Sequence, residues 1–177
     1  MFFVESEENL SICPNCGQQL VYHCRVNRAL RDTTGIKKLY SIRILKCENK
    51  TCPATYHREL PDIIIPYRRY DAESIEEAIE HSNSDITVAV DQSTIYRWRK
   101  WFKRSELYIV MALLSVSAVI GEYTKISSLV NEKQKGSAPK EKIQSIVGRK
   151  IKWLSEAVRI LVNASKWKIN RSAFLTG

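Results

Sequence analysis

The sequence predicts an α+β chain: a small strand-rich unit near the N-terminus, followed by helices to the end. Three observations predict it. Cysteines fall in two close pairs, Cys13/Cys16 and Cys47/Cys52. Between the pairs, side chains alternate with period two around a glycine-containing turn. From about residue 71 onward, apolar residues recur three and four apart instead, which is the helical period.

The first pair lies in Cys13-Pro14-Asn15-Cys16-Gly17. Two intervening residues let both sulfurs face one point, and Gly17 frees the backbone to turn beneath them. The second pair, in Cys47-Glu48-Asn49-Lys50-Thr51-Cys52-Pro53, is a looser knuckle of the same kind. Four thiolates from two knuckles suit one tetrahedral Zn2+ ion, with Zn–S near ~2.3 Å. The chain between them then makes a zinc ribbon. The competing arrangement is two disulfides or unliganded thiols, and paired short spacings in a non-secreted chain argue against it. Cys24 reads as a small buried hydrophobe on a strand. His23 and His57 have no better ligand spacing than the four thiols and are left out of the set.

Residues 20–26 read as one strand. Residues 28–31 and 38–46 flank Asp32-Thr33-Thr34-Gly35, a turn sequence. Tyr40, Ile42 and Ile44 alternate with Leu39, Ser41, Arg43 and Leu45, so a hairpin delivers Cys47 to the metal. Arg25, Arg28, Arg31, Lys37, Lys38, Arg43 and Lys46 make this unit strongly basic, and they must face solvent or phosphate. Residues 57–70, with Pro61 and Pro66 bracketing Ile63-Ile64-Ile65, read as an extended linker.

Asp71 is a good N-cap for a helix with Ile75, Ala78 and Ile79 on one face and Glu73, Glu76, Glu77 and Glu80 on the others. Residues 86–90 fit either a helical turn or an irregular link. Residues 91–104 then form a second focus. Asp91 or Ser93 caps a helix whose apolar side is Ile95, Trp98 and Phe102. Its opposite side carries Ser93, Arg97, Lys100 and Arg104, with Tyr96 beside them. Trp101 either flanks that face or completes the core. A short helix, a break and a capped basic helix form a helix-turn-helix pattern. Beyond it, residues 107–121 read as an apolar helix and 133–140 as a loop. A long helix from Glu141 to about residue 166 is interrupted or weakened at Gly148, with Ile151, Leu154, Val158 and Leu161 as its apolar stripe. The expected divisions are 1–66 (ribbon, acidic lead-in and linker), 67–105 (helix-turn-helix) and 106–177 (a C-terminal helical hairpin that supports the helix-turn-helix or self-associates).

The chain has 177 residues, enough for one medium domain or two small ones. Lys+Arg number 28 against 19 Asp+Glu, a net charge of +9 that suggests an anionic partner, most often nucleic acid. No basic n-region or small-residue cleavage site opens the sequence, so a cytoplasmic, reducing location is expected. The longest apolar run, 107–120, contains Ser115 and Ser117 and falls short of the ~20 residues that span a bilayer.

Several stretches carry a family resemblance. They are Cys13-Pro14-Asn15-Cys16-Gly17, Cys47 to Cys52, His57-Arg58-Glu59-Leu60-Pro61-Asp62, Pro66-Tyr67-Arg68-Arg69-Tyr70 and residues 93–101. Over about residues 13–104 the chain resembles a bacterial zinc-ribbon plus helix-turn-helix family associated with mobile elements, and the N-terminal DNA-binding region of insertion-sequence transposases. That resemblance implies DNA binding and a mobile-element context, without catalytic activity.

The expected function is therefore sequence-specific binding of double-stranded DNA, by a transposon- or phage-associated protein with one structural Zn2+. Its candidate DNA-contacting residues are Ser93, Thr94, Tyr96, Arg97, Lys100, Lys103 and Arg104. Arg97 is the candidate for a bidentate guanine contact. Lys100, Lys103 and Arg104, with the Arg and Lys residues of the ribbon, are the candidates for phosphates. The alternative is an adaptor whose ribbon grips a protein such as a transposase or RNA polymerase; a homodimer fits either. An Mg2+-dependent nuclease is disfavoured: beyond residue 106 the only acidic residues are Glu122, Glu132, Glu141 and Glu156.

Overall fold

The computed structural model describes residues 1–3, 11–82, 85–120 and 138–164. It is a mixed α+β chain. Strands β1 (Phe2–Phe3), β2 (Leu20–Arg31), β3 (Lys37–Cys47) and β4 (Tyr56–Arg58) form one four-stranded sheet. β3 is central. It pairs antiparallel with β2 along its whole length, parallel with β1 at Tyr40 and Ser41, and antiparallel with β4 at Ile44, Leu45 and Lys46. The hairpin turn is held by Asp32, whose Oδ1 accepts from the backbone N–H groups of Thr34 (3.1 Å) and Ile36 (3.0 Å), with Gly35 at φ +81°.

β2 runs unbroken through Asn27, where the sequence suggested two pieces, with a register shift between Tyr22 and Cys24. β1 and β4 have no signature of their own. β4 comes from the stretch read as linker, and it is a strand because the free edge of β3 offers unpaired backbone groups.

Among the described residues four helices follow: α1 (Ala72–Glu80), α2 (Gln92–Ile120), α3 (Pro139–Val147) and α4 (Trp153–Asn163). Asp71 caps α1, accepting the Ser74 N–H at 2.9 Å. Asp91, not Ser93, caps α2, accepting the Thr94 N–H at 2.9 Å. Residues 86–90 form an irregular link. α2 passes through 105/106 without a break, so the expected division there falls inside one helix. No glycine or proline lies between 92 and 120 to end it. The expected C-terminal helix is interrupted at Gly148, one of the two readings of that glycine, and so forms two helices. Gly148 ends α3 in a left-handed conformation, and Lys152, also left-handed at φ 58°, precedes α4. Ile151 is consequently exposed in the connection, while Leu154, Val158 and Leu161 are buried. The acidic lead-in over 4–10, most of the 133–140 loop and the tail from 165 lie outside the described residues.

The helices share one core, in which Ile75, Trp98, Trp101, Phe102, Ile109, Leu113, Trp153, Leu154 and Leu161 are buried. Tyr70 meets Trp98 edge-on at 5.0 Å, and Phe102 meets Trp153 at 5.5 Å. A second, smaller cluster of Cys13, Leu20, Leu45 and Cys47 lies at the other end of the sheet. The hairpin turn joins sheet to helices: the Ala89 N–H donates to Thr33 O at 2.9 Å. Arg28 Nη2 donates to Arg68 O at 2.8 Å, and the Arg68 guanidinium lies 4.3 Å over the Trp101 ring.

The acidic side of α1 is only partly surface: Glu73 is exposed, Glu77 and Glu80 are half-buried and Glu76 is buried. Glu76 is buried and receives the N–H groups of Lys152 (2.7 Å) and Leu154 (2.9 Å), capping α4 from another helix. Glu80 Oε1 accepts from Trp153 Nε1 (2.9 Å) and Gln144 Nε2 (2.8 Å). Glu77 accepts from the Thr87 N–H at 2.7 Å. Among the described residues, no helix is long and apolar enough to cross a membrane.

Candidate metal centre and basic helix face

Cys13, Cys16, Cys47 and Cys52 converge, with all four Sγ atoms within 4.8 Å of one another. Gly17, at φ +73°, turns the first knuckle, whose Gly17 N–H donates to Cys13 O at 2.9 Å. In the second, the Cys52 N–H donates to Asn49 O at 3.0 Å. β3 ends at Cys47, which brings the knuckles together. Sγ separations are 3.7 Å for Cys13–Cys52 and 3.5 Å for Cys16–Cys47. A disulfide would need about 2.05 Å. Four ligands about 2.3 Å from a tetrahedral ion would stand about 3.8 Å apart. The donor set and its spacing are therefore compatible with a metal site.

The thiols are not equivalent. The backbone N–H of Gln18, aided by Cys47 and Asn49, draws the Cys16 thiol down to about 7. Burial pushes the Cys47 thiol up to about 12. A metal ion would have to displace the proton from Cys47, whereas Cys16 is partly thiolate at neutral pH.

His57, left out of the ligand set by its spacing, stands beside it in space. Its Nε2 is 3.4 Å from Cys13 Sγ and 3.2 Å from Ala54 O. The pairing of His57 with Leu45 places it there. Its sequence signal was weak, because the register of a three-residue edge strand is not written in its own pattern. Cys24 is half-buried and lies outside the cluster.

On α2, Tyr96, Arg97, Lys100, Lys103 and Arg104 are exposed on one side of the first three turns. Ser93 and Thr94 serve the cap: their hydroxyls donate to Asp91 at 2.5 and 2.9 Å. These contacts hold the Asp91 carboxyl down at about 2. Arg97 Nη2 donates to Ser93 Oγ at 2.7 Å, and Lys100 Nζ stands 5.7 Å from the Tyr96 ring centre. Lys103 is paired with Glu106 at 2.7 Å. Trp101 is turned into the core. Arg99, between the two faces, donates to Ala78 O (2.7 Å) and His81 O (2.5 Å), satisfying the C-terminus of α1.

The basic residues of the sheet divide. Arg43 pairs with Glu59 at 2.5 Å and Lys38 with Asp32 at 2.9 Å. Arg25 donates to Ser41 O at 3.0 Å and stands over Phe3. Arg28 is pushed below its usual range by burial and by the Arg58 cation. Arg31 and Lys37 are exposed, and Lys46 is half-buried.

A family model described as a domain of unknown function (DUF6431) matches residues 13–98. The matched stretch spans the four cysteines, β2 to β4, α1 and the first turns of α2. No curated protein and no solved structure matches the chain.

Proposed function

We propose that the chain is a sequence-specific binder of duplex DNA, built as a zinc ribbon whose ion is structural, with the start of α2 as its reading element. The observation that carries this is the exposed side of α2 over residues 93–104. Arg97, Lys100 and Arg104 project there, and among the described residues none of them pairs with a carboxylate. Arg97 lies one turn into the helix, where reading helices meet base edges. In this reading it contacts guanine, while Lys100, Lys103 and Arg104 hold phosphates. The link over 81–91 is longer than the 3–4-residue turn typical of a helix-turn-helix, so the reading rests on the face of α2 itself. Four thiolates leave a Zn2+ ion no open position, and Glu76, Glu77 and Glu80 are committed to structural hydrogen bonds. Both facts support a non-catalytic role. A mobile-element context is part of the proposal and rests on the order of residues alone.

The test is a salt titration of wild type, Arg97→Ala and Lys100→Ala on a duplex selected from a random pool and on a scrambled one. Arg97→Ala should lose ~1–3 kcal/mol on the selected duplex and little on the scrambled one. Lys100→Ala should weaken both alike and flatten the salt slope by ~0.9. If neither variant changes binding at any salt, α2 does not face DNA.

A second reading, an adaptor for a protein partner, is favoured by one observation. Ile12, Tyr22 and Tyr56 are exposed near the cysteine-bearing end of the sheet. Absence of salt-dependent duplex binding by the purified chain would select it.

A further inference from the structure

Three cations from three segments meet at the end of the sheet opposite the cysteines. Arg31 closes β2, Lys37 opens β3, and the two are direct cross-strand partners. Arg69 is brought beside them by a parallel bridge between Arg31 and Tyr70. In that bridge the Arg31 N–H donates to Arg69 O at 2.8 Å and the Asp71 N–H donates to Arg31 O at 2.9 Å. With Ala29 and Leu30 these residues line an open depression of about 260 Å³.

Like charges directly opposite each other on a ladder repel, so this arrangement costs stability unless something answers it. The nearest carboxylates in sequence are already engaged. Asp32 holds Thr34, Ile36 and Lys38, and Asp71 caps α1. Arg31 Nη1 donates to Gly35 O at 3.0 Å. Lys37 and Arg69 make no ion pair among the described residues. Two guanidinium forks and an ammonium around a concavity form a donor set suited to an oxyanion. The volume lies just below the ~300–1,000 Å³ of small-molecule pockets, and no aromatic ring lines it to stack a base. A single phosphodiester group matches both facts.

We propose that the depression lined by Arg31, Lys37 and Arg69 binds a backbone phosphate of the duplex that α2 contacts. It would give the protein a second anchor, at the junction of sheet and helices, that fixes its orientation on the DNA. This rests on the DNA-binding reading above.

The experiment is a salt titration of the full chain on the selected and scrambled duplexes, comparing wild type with Lys37→Gln, Arg69→Gln and the double variant. Both side chains are exposed, so the fold should survive. Relief of repulsion should leave the thermal midpoint unchanged or raise it. The double variant should bind both duplexes more weakly, with the slope of log K against log salt flattened by ~0.9 for one phosphate lost. If wild type binds with a salt-dependent slope and the double variant keeps that slope, the depression takes no phosphate and the DNA reading stands without it. A loss confined to the selected duplex would make these residues base readers and overturn the phosphate assignment. If wild type binds no duplex at any salt, the DNA reading falls and this inference with it.

Discussion

Cys13, Cys16, Cys47 and Cys52 would act as a unit at the residue scale, because a metal ion held by four thiolates would stabilise only the folded arrangement. Cys16→Ser is expected to abolish stoichiometric metal binding, measured by elemental analysis of natively purified protein. Retention of a full equivalent would remove Cys16 from the ligand set. With a metal bound, His57 would act through Cys13. An Nε2–H directed at the thiolate would stabilise its charge without occupying a coordination position. His57→Ala is therefore expected to weaken metal binding by ~10–100-fold in a chelator competition while stoichiometry stays at one. An unchanged affinity would mean that the imidazole serves only Ala54 O.

The informative element is α1, whose carboxylates organise two other helices. Glu76 accepts two N–H groups at the start of α4, where Lys152 supplies no side-chain cap. A glutamine there offers one acceptor oxygen and faces the other N–H with an NH2 group. Glu76→Gln is expected to destabilise by ~1–3 kcal/mol in denaturant unfolding, since a buried donor loses its partner. Burial raises the Glu76 carboxyl above its usual range, against the downward pull of the Leu154 and Lys152 N–H groups. The folded state thus binds this proton more tightly than the unfolded chain, whose value is near ~4.3. Its contribution is fully present below that value and is lost as pH rises through the folded one. The stability gap between wild type and Glu76→Gln should narrow from pH 4 to pH 7 in thermal melts. A gap that widens would show the two N–H bonds outweighing burial.

At the scale of the whole molecule, the described residues form two buried clusters toward opposite ends of an 11-residue strand, ~35 Å long at ~3.3 Å per residue. Only the cluster at the cysteine end contains the thiols. Of the four tryptophans, the three among the described residues, Trp98, Trp101 and Trp153, lie in the helical cluster. Chelation is expected to collapse the sheet, seen as lost strand signal in far-ultraviolet circular dichroism, while tryptophan emission keeps its buried maximum. A red shift that tracks chelation would mean that the clusters unfold together through the contacts of the hairpin turn.

The four-cysteine cluster was legible in the sequence because the ligand spacing within each knuckle is a local property. The same holds for the cap at Asp71, the narrowing of the α2 cap to Asp91 or Ser93, the turn at residues 32–35 and the core stripe of Ile95, Trp98 and Phe102, since each is set within a turn or two of chain. What sequence could not decide depends on partners far along the chain. β1 and β4 exist because β3 has an edge to fill, and His57 reaches Cys13 only through the register of that edge. Glu76 and Glu80 carry surface-type side chains on an amphipathic pattern, yet they face inward because α3 and α4 present N–H donors that no local rule places there. The continuity of α2 past residue 105 belongs to the same group. Its composition changes from basic to apolar at that point, but composition marks which face is buried and does not by itself end a helix, and no glycine or proline stands there. The cationic depression has the same origin, because Arg31, Lys37 and Arg69 become neighbours only when a hairpin and a parallel bridge close around them.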